Sequence, residues 1–265
     1  MTGRIARIWH YLLIGMFLAG FMGCVSSHDV TVKGMYAEPE GCVPRNFFFS
    51  DIPNFRDLGG WETVDGRKVR QGRVFRSACF NERWRWYRSN ASRDHLTERT
   101  RAYVTGTLGV RTDLDLRKEI SCRGMAGSPL GEQVRFINIS SKAYGDLASN
   151  AGREAFAKVF RVFLDESNYP ILFHCAAGQD RAGSVAFILN GLLGVPLESL
   201  VKDWEMSRLW NGRDDFTYER KLSKLVGVFD AYEGETLQER IESYVRSLGF
   251  TEKDIVAFRN MMLVK

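Results

Sequence analysis

Cys175 and Arg181 stand near the two ends of the stretch HCAAGQDRAG, residues 174–183, which follows the apolar run Ile171-Leu172-Phe173. Small residues at Ala176, Ala177 and Gly178 let a backbone curl tightly, and Gly178 has conformations open to it that a Cβ resists. A tight loop that enters a helix turns several N–H groups into one concavity, an anion nest, and the helix N-terminus adds partial positive charge. A cysteine at the mouth of such a nest is favoured as thiolate, the nucleophilic form. An arginine at the loop's end can grip two oxygens of one anion as a fork. Nucleophile, oxyanion donors and clamp then converge on one phosphorus. The chain carries its own control. Cys79 and Arg85 repeat the spacing, but bulky Phe80, Arg83 and Trp84 fill the interval, and no junction of apolar strand and apolar helix frames it. The plain alternative for Cys175 is a small buried residue after a strand.

The elements around the loop follow from hydrophobic period. Phe156, Val159, Phe160, Phe163 and Leu164 recur at helical spacing between Gly152 and Asn168. Ile171 to Phe173 reads as a buried parallel strand. Val185, Ile188, Leu189, Leu192 and Leu193 mark a second apolar helix that stops at Gly194 and Pro196. Upstream, VRTDLDLR alternates as a strand does, Val134 to Ile139 is another strand, and residues 95–108 read as helical. Asp65-Gly66 signals a tight turn in a short hairpin that runs to Ser77. Further helices are expected near 197–210, 236–247 and 251–262, the last with Thr251 as N-cap and Asp254 three residues on. Strand, helix, strand, loop, helix is the grammar of an α/β sheet.

HCAAGQDRAG resembles the phosphate-binding signature of protein tyrosine phosphatases and their dual-specificity and lipid-phosphatase relatives. It is most similar to a bacterial tyrosine phosphatase family whose loop reads His-Cys-x-Ala-Gly-Lys-Asp-Arg-Thr-Gly. That family carries an Asn-Phe-Arg-Asp-Leu-Gly-Gly segment, matched here by residues 54–60, an Arg-Ser pair, matched by Arg76-Ser77, and an Asp-Leu-Arg strand end, matched by Asp115-Leu116-Arg117. The region from Tyr244 to Met262 is similar too, so the resemblance covers about 51–265. It implies an α/β fold of the tyrosine phosphatase type: a mostly parallel central sheet flanked by helices, with the phosphate loop between a buried strand and a helix.

The resemblance also implies a mechanism. Cys175 attacks phosphorus to give a cysteinyl-phosphate that water then hydrolyses. Asp180 donates the proton. Arg181 and the loop from Ala176 through Ala177, Gly178 and Gln179 to Asp180 hold the phosphate oxygens. His174 orients the loop; from their own positions Arg56 and Asp57 read as braces for it, and Arg117, at a strand end, reads as a structural ion-pair residue. Asp146, in a stretch where other tyrosine phosphatases place their acid, is the rival for proton donor. No metal or cofactor is required. The expected substrate is phosphotyrosine in proteins. A phosphoserine, phosphoinositide or inositol phosphate substrate, a phosphate-binding pseudophosphatase and a sulfur-transfer enzyme stay open as alternatives. Two positions depart from the pattern: Gln179 replaces the usual lysine, and Ala182 replaces the usual hydroxyl residue, with Ser184 on a different helical face.

The 265-residue chain has a net charge of +5, which is compatible with an anionic substrate, nucleic acid or a membrane surface, and equally with a plain basic soluble protein. It shows no RNA-recognition or zinc-finger spacing, so no nucleic-acid partner is expected. Arg4 and Arg7 precede an apolar stretch from Ile8 to Met22, and Gly23-Cys24 ends it. This reads as a signal peptide over 1–23, then a lead-in segment over 24–50 and the catalytic domain over 51–265; the ending Phe21-Met22-Gly23-Cys24 resembles a bacterial lipoprotein cleavage box with Cys24 as the lipidated residue, and an uncleaved anchor and a cleaved, soluble form are the alternatives. The expected location is a membrane-anchored lipoprotein facing the periplasm or cell exterior. Of the five cysteines, Cys42, Cys79 and Cys122 read as small buried residues, too scattered for a disulfide framework. Residues 81–93, with Trp84, Trp86 and Tyr87 among arginines, read as a lid, a membrane-facing patch or a packed surface loop.

Overall fold

The computed structural model describes residues 45–80, 95–122, 125–207, 210 and 221–265. The expectations for the signal segment, Cys24, Cys42 and the 81–93 loop lie outside the described residues. Among those that are described, no helix is long and apolar enough to cross a membrane.

Strands β1 (Asn46–Phe47), β2 (Phe55–Asp57), β3 (Lys68–Val69) and β4 (Val74–Ser77) come first. Helix α1 (Glu98–Ala102) is capped by the Thr97 side chain and runs on as a wider turn through Thr107, within the expected span. Then follow β5 (Thr112–Asp115), β6 (Arg135–Asn138), helix α2 (Asn150–Leu164), β7 (Ile171–His174) and helix α3 (Arg181–Leu192). Helices α4 (Leu197–Glu205), α5 (Ser223–Val226), α6 (Leu237–Ser247) and α7 (Glu252–Met262) lead to β8 (Leu263–Val264). Thr251 and Asp254 form the reciprocal cap of α7 that their spacing foretold.

One sheet runs in the order β1-β2-β4-β7-β5-β6. The four strands from β4 to β6 are parallel, and β2 and β1 close one edge antiparallel. The sheet is buried on both faces. Ile171 and Phe173 of β7 enter the larger core with α2, α3, α6 and α7, while Leu172 enters a second core of Phe47, Phe49, Phe55, Phe75 and Phe80. Helix α3 is hydrophobic almost all round because it lies in the middle of the larger core.

Three expectations change. The Asp65-Gly66 turn is present, with Thr63 N–H bonded to the Arg67 carbonyl, but β3 pairs with β8 and β4 joins the main sheet. The run to Ser77 is therefore not one hairpin: β4 has a better partner in the buried strand β7. Residues 46–49, placed in the lead-in by sequence, supply β1 and two core phenylalanines. Helix α4 also stops at Glu205, short of 210, and the chain turns so that Ser207 faces back into the fold.

Candidate active site

The loop at the carboxyl end of β7 is where an open parallel sheet places its ligands. Cys175 follows the strand and is 1% exposed, whereas Asp180 and Arg181 are half-buried at the rim. Gly178 has φ +65°, and a Cβ there would lie 2.5 Å from the Ser77 backbone, so the loop can pass behind β4 only with glycine.

The loop's carbonyls are taken from behind, one after another. Cys79 N–H donates to the Ala176 carbonyl at 3.2 Å. Asn54 Nδ2 donates to the Ala177 carbonyl at 3.0 Å, and Arg76 Nη2 to the Gly178 carbonyl at 2.7 Å. In a planar trans peptide, C=O and the next N–H point in opposite directions. The N–H groups of Ala177, Gly178 and Gln179 are therefore aimed away from those donors, into the concave side. This arrangement makes a nest for an anion at the N-terminus of α3.

The donors are themselves fixed. Asp203 of α4 lies between three arginines: Arg76 at 2.6 Å, Arg45 at 3.1 Å and Arg56 at 3.2 Å. Burial alone would raise the Asp203 pKa, but Arg56, Arg76 and Arg45 outweigh it and hold the carboxyl at about 2. Arg56 also donates to Asn54 Oδ1, and Ser207 Oγ accepts from both Asn54 and Arg56. Arg56 thus acts on the loop through Asn54. Asp57 braces the adjoining chain instead. Its two oxygens accept from Gly59 N–H at 2.7 Å and Gly72 N–H at 2.6 Å, fixing the backbone on either side of β3.

His174 is buried, with Nε2 3.0 Å from Asp113 Oδ1 and 3.9 Å from Asp115 Oδ2, and with the Phe80 ring against it at 4.6 Å. Burial alone would lower its pKa, but Asp115 and Asp113 hold it above the ordinary imidazole value. Asp115 in turn takes Arg117 through Nε and Nη2, at 2.9 and 2.7 Å, and sits at about 2 because His174 and Arg117 outweigh its burial. Arg117 is a buried ion-pair residue, as its strand-end position implied.

Arg181 Nη1 donates to the Leu116 carbonyl at 3.2 Å, leaving other guanidinium N–H groups for an anion. Asp180 Oδ1 accepts from the Tyr144 hydroxyl and from Lys221 Nζ, the latter at 3.1 Å. Asp146 is exposed, two residues along the same short helical turn as Tyr144. Ala182 is buried, and Ser184 Oγ donates to the Asp180 carbonyl at 2.9 Å. Gln179 is buried within the loop. Cys79 and Cys122 are buried, and Cys122 Sγ donates to Asp115 Oδ2 at 3.1 Å. Among the described residues no cluster of three or more His, Cys, Asp or Glu could hold a metal.

Sequence reasoning assigned no role to Asn54, Arg76, Tyr144, Asp203, Ser207 or Lys221. Asn54 and Arg76 lay inside quoted motifs, so their signal was present. Asp203 and Lys221 lie outside every motif, and only the fold brings them in.

An anion nest with a thiol at its floor and an arginine at its lip, set at the end of a parallel strand, defines a hydrolase of the cysteine-dependent phosphatase class. A sequence model described as the tyrosine phosphatase family matches residues 48–264, and the chain belongs to that family. It is 27% identical over 222 residues to a Cupriavidus necator protein carrying the provisional name tyrosine-protein phosphatase, covering 78% of this chain and 77% of that one. It is 38% identical over 121 residues to a Nostoc commune tyrosine-protein phosphatase, covering 38% of this chain and 41% of that one. Among solved structures, P. aeruginosa TpbA in complex with phosphotyrosine aligns at 14% identity and a TM-score of 0.40, covering 70% of this chain and 91% of that one.

Proposed function

We propose that the chain hydrolyses phosphotyrosine in proteins through a cysteinyl-phosphate at Cys175. The observation that carries the reading is the loop itself, its carbonyls tied back by Asn54, Arg76 and the Cys79 N–H so that its amides face the Cys175 side. In the first step the Cys175 sulfur attacks phosphorus, the loop amides and Arg181 hold the three equatorial oxygens, and Asp180 gives a proton to the departing ester oxygen. In the second step Asp180 takes a proton from water as the water oxygen displaces sulfur. His174, held by Asp113 and Asp115, fixes the strand end that presents the thiol.

Depth supports the aryl ester. The thiol is 1% exposed, while the Asp180 side chain at the rim is 38% exposed. A tyrosyl ring can carry phosphate down to such a floor, whereas the short stem of phosphoserine would draw the peptide backbone into the mouth. One observation favours a second reading, an inositol phosphate or phosphoinositide: the Lys221 ammonium beside Asp180 supplies a cation at the rim where Gln179 supplies none. Phosphate release from a phosphotyrosine peptide, a phosphoserine peptide and inositol phosphates compares the readings on the full chain. The phosphotyrosine peptide is expected to give the highest kcat/KM, and Cys175→Ser to abolish turnover while phosphate still binds. A Cys175→Ser variant with near-normal turnover defeats the mechanism. A preference for inositol phosphates moves the assignment to the second reading.

A further inference from the structure

Tyr144 has φ 54°, the left-handed conformation that few residues other than glycine adopt. The phosphate loop's own helix is what holds it there. Tyr144 N–H donates to Ser184 Oγ at 3.1 Å, and Ser184 Oγ donates to the Asp180 carbonyl at 2.9 Å. The ring packs near Trp204, with centroids 6.4 Å apart, and the hydroxyl donates to Asp180 Oδ1. Burial pushes the phenol's pKa well up, so it stays a neutral donor. Lys221 Nζ reaches the same Oδ1 at 3.1 Å and lies 5.6 Å from the Tyr144 ring centroid. Both donors thus converge on one oxygen. Asp180 Oδ2 has no hydrogen-bond partner among the described residues.

We propose that Tyr144 and Lys221 are positioning residues for Asp180. By occupying Oδ1 they make Oδ2 the oxygen that carries the proton and turn it toward the departing ester. The inference rests on Asp180 being the proton donor. In the first step the Oδ2–H bond breaks as the ester oxygen leaves phosphorus, the proton goes to that oxygen, and the carboxylate left behind is stabilised by the two donors. In the second step that carboxylate takes a proton from the attacking water, the P–S bond breaks, and the thiolate and the Oδ2–H are restored. A Tyr144 that only fills space near Trp204 would not need its hydroxyl, and a structural Lys221 would not affect one ester more than another.

The test compares kcat/KM on phenyl phosphate, whose leaving group needs protonation, with nitrophenyl phosphate, whose leaving group does not. Asp180→Asn should slow phenyl phosphate by about 10²–10⁴-fold, the usual worth of a positioned acid, and nitrophenyl phosphate far less. Tyr144→Phe and Lys221→Gln should each slow phenyl phosphate about 10-fold, a misplaced rather than a missing acid, with little change on nitrophenyl phosphate. That second rate also reports that the variants are folded. Lys221→Arg should recover most of the loss. In an Asp180→Asn background neither substitution should add to the leaving-group dependence, because the group they position is gone. Equal losses on both esters, or losses that add in the Asp180→Asn background, overturn the inference while leaving Asp180 as the acid. No leaving-group dependence in Asp180→Asn removes the acid assignment and this inference with it.

Discussion

At the scale of single residues, the loop is set by what stands behind it as much as by the thiol. Gly178 is the sharpest case. Alanine there would need a left-handed backbone and a Cβ 2.5 Å from the Ser77 carbonyl carbon and oxygen, neither of which can yield without moving β4. Gly178→Ala is expected to lose nearly all turnover and phosphate binding. Thermal unfolding should fall by an amount consistent with about 1–3 kcal/mol of backbone strain, with far-UV circular dichroism unchanged. Near-normal phosphate affinity would show that the loop does not need the glycine's conformation. At this scale the sequence was most informative, because a nest needs small residues, a thiol and an arginine in fixed order, and all of these are local. Asn54 and Arg76 were harder to interpret. A hydrogen bond from Asn54 to the Ala177 carbonyl joins residues 123 apart, and no spacing rule reports it. Helical spacing turns Ser184 away from the loop position of Ala182, and its hydroxyl lies between the Asp180 carbonyl and the Tyr144 N–H.

Among elements, Asp203 joins three parts of the chain. It sits on α4 and binds Arg45, β2 through Arg56 and β4 through Arg76, so one carboxylate sets the positions of both strands whose side chains hold the loop. Its folded pKa of about 2 lies below the ordinary value of 3.8. A depressed carboxyl contributes stability that is complete above the unfolded pKa and lost as pH falls through the folded one. For Asp203, and for Asp115 in the same direction, that window runs from about pH 4 down to about pH 2, with roughly 2 kcal/mol attached to each. Urea unfolding should therefore show a steep loss of stability across that window. Asp203→Asn should cost about 3–5 kcal/mol near neutral pH, because Arg56 and Arg76 are left buried without their anion, and should flatten the acid limb. An unchanged acid limb in that variant would place the titrating group elsewhere. Elements were legible where an apolar period ran long, as in α2 and α3, or where a cap marked the start, as in α7. The alternation in β5 was legible as well, but not its meaning. Asp113 and Asp115 look like a solvent face in the sequence, yet both are buried, because His174 and Arg117 lie against that side.

Across the whole molecule, the sheet separates two cores and brings the ends of β4, β7 and β5 together at one site. The α/β class followed from the order of periodic segments. Strand partners did not, since β3 chooses β8 from the far end of the described chain and β4 chooses β7. Hydrophobic period shows that a strand is buried, and the identity of its neighbour depends on packing that no short stretch encodes.

The bracing of the loop also governs how the protein acquires its competence over time. Arg56 meets Asp203 across 147 positions, Arg76 meets Asp203 across 127, and Asn54 meets Ser207 across 153. Contacts of such separation close late, after local helices and hairpins, because the intervening chain must first surrender its freedom. A partly folded chain can hold α2, α3 and much of its helical signal while its amides still point anywhere. In refolding from urea, phosphate binding is expected to return with the slowest phase and helical signal earlier. Simultaneous return of the two would mean that the loop forms without its distant supports. For as long as that interval lasts, the nucleophile exists but the enzyme does not.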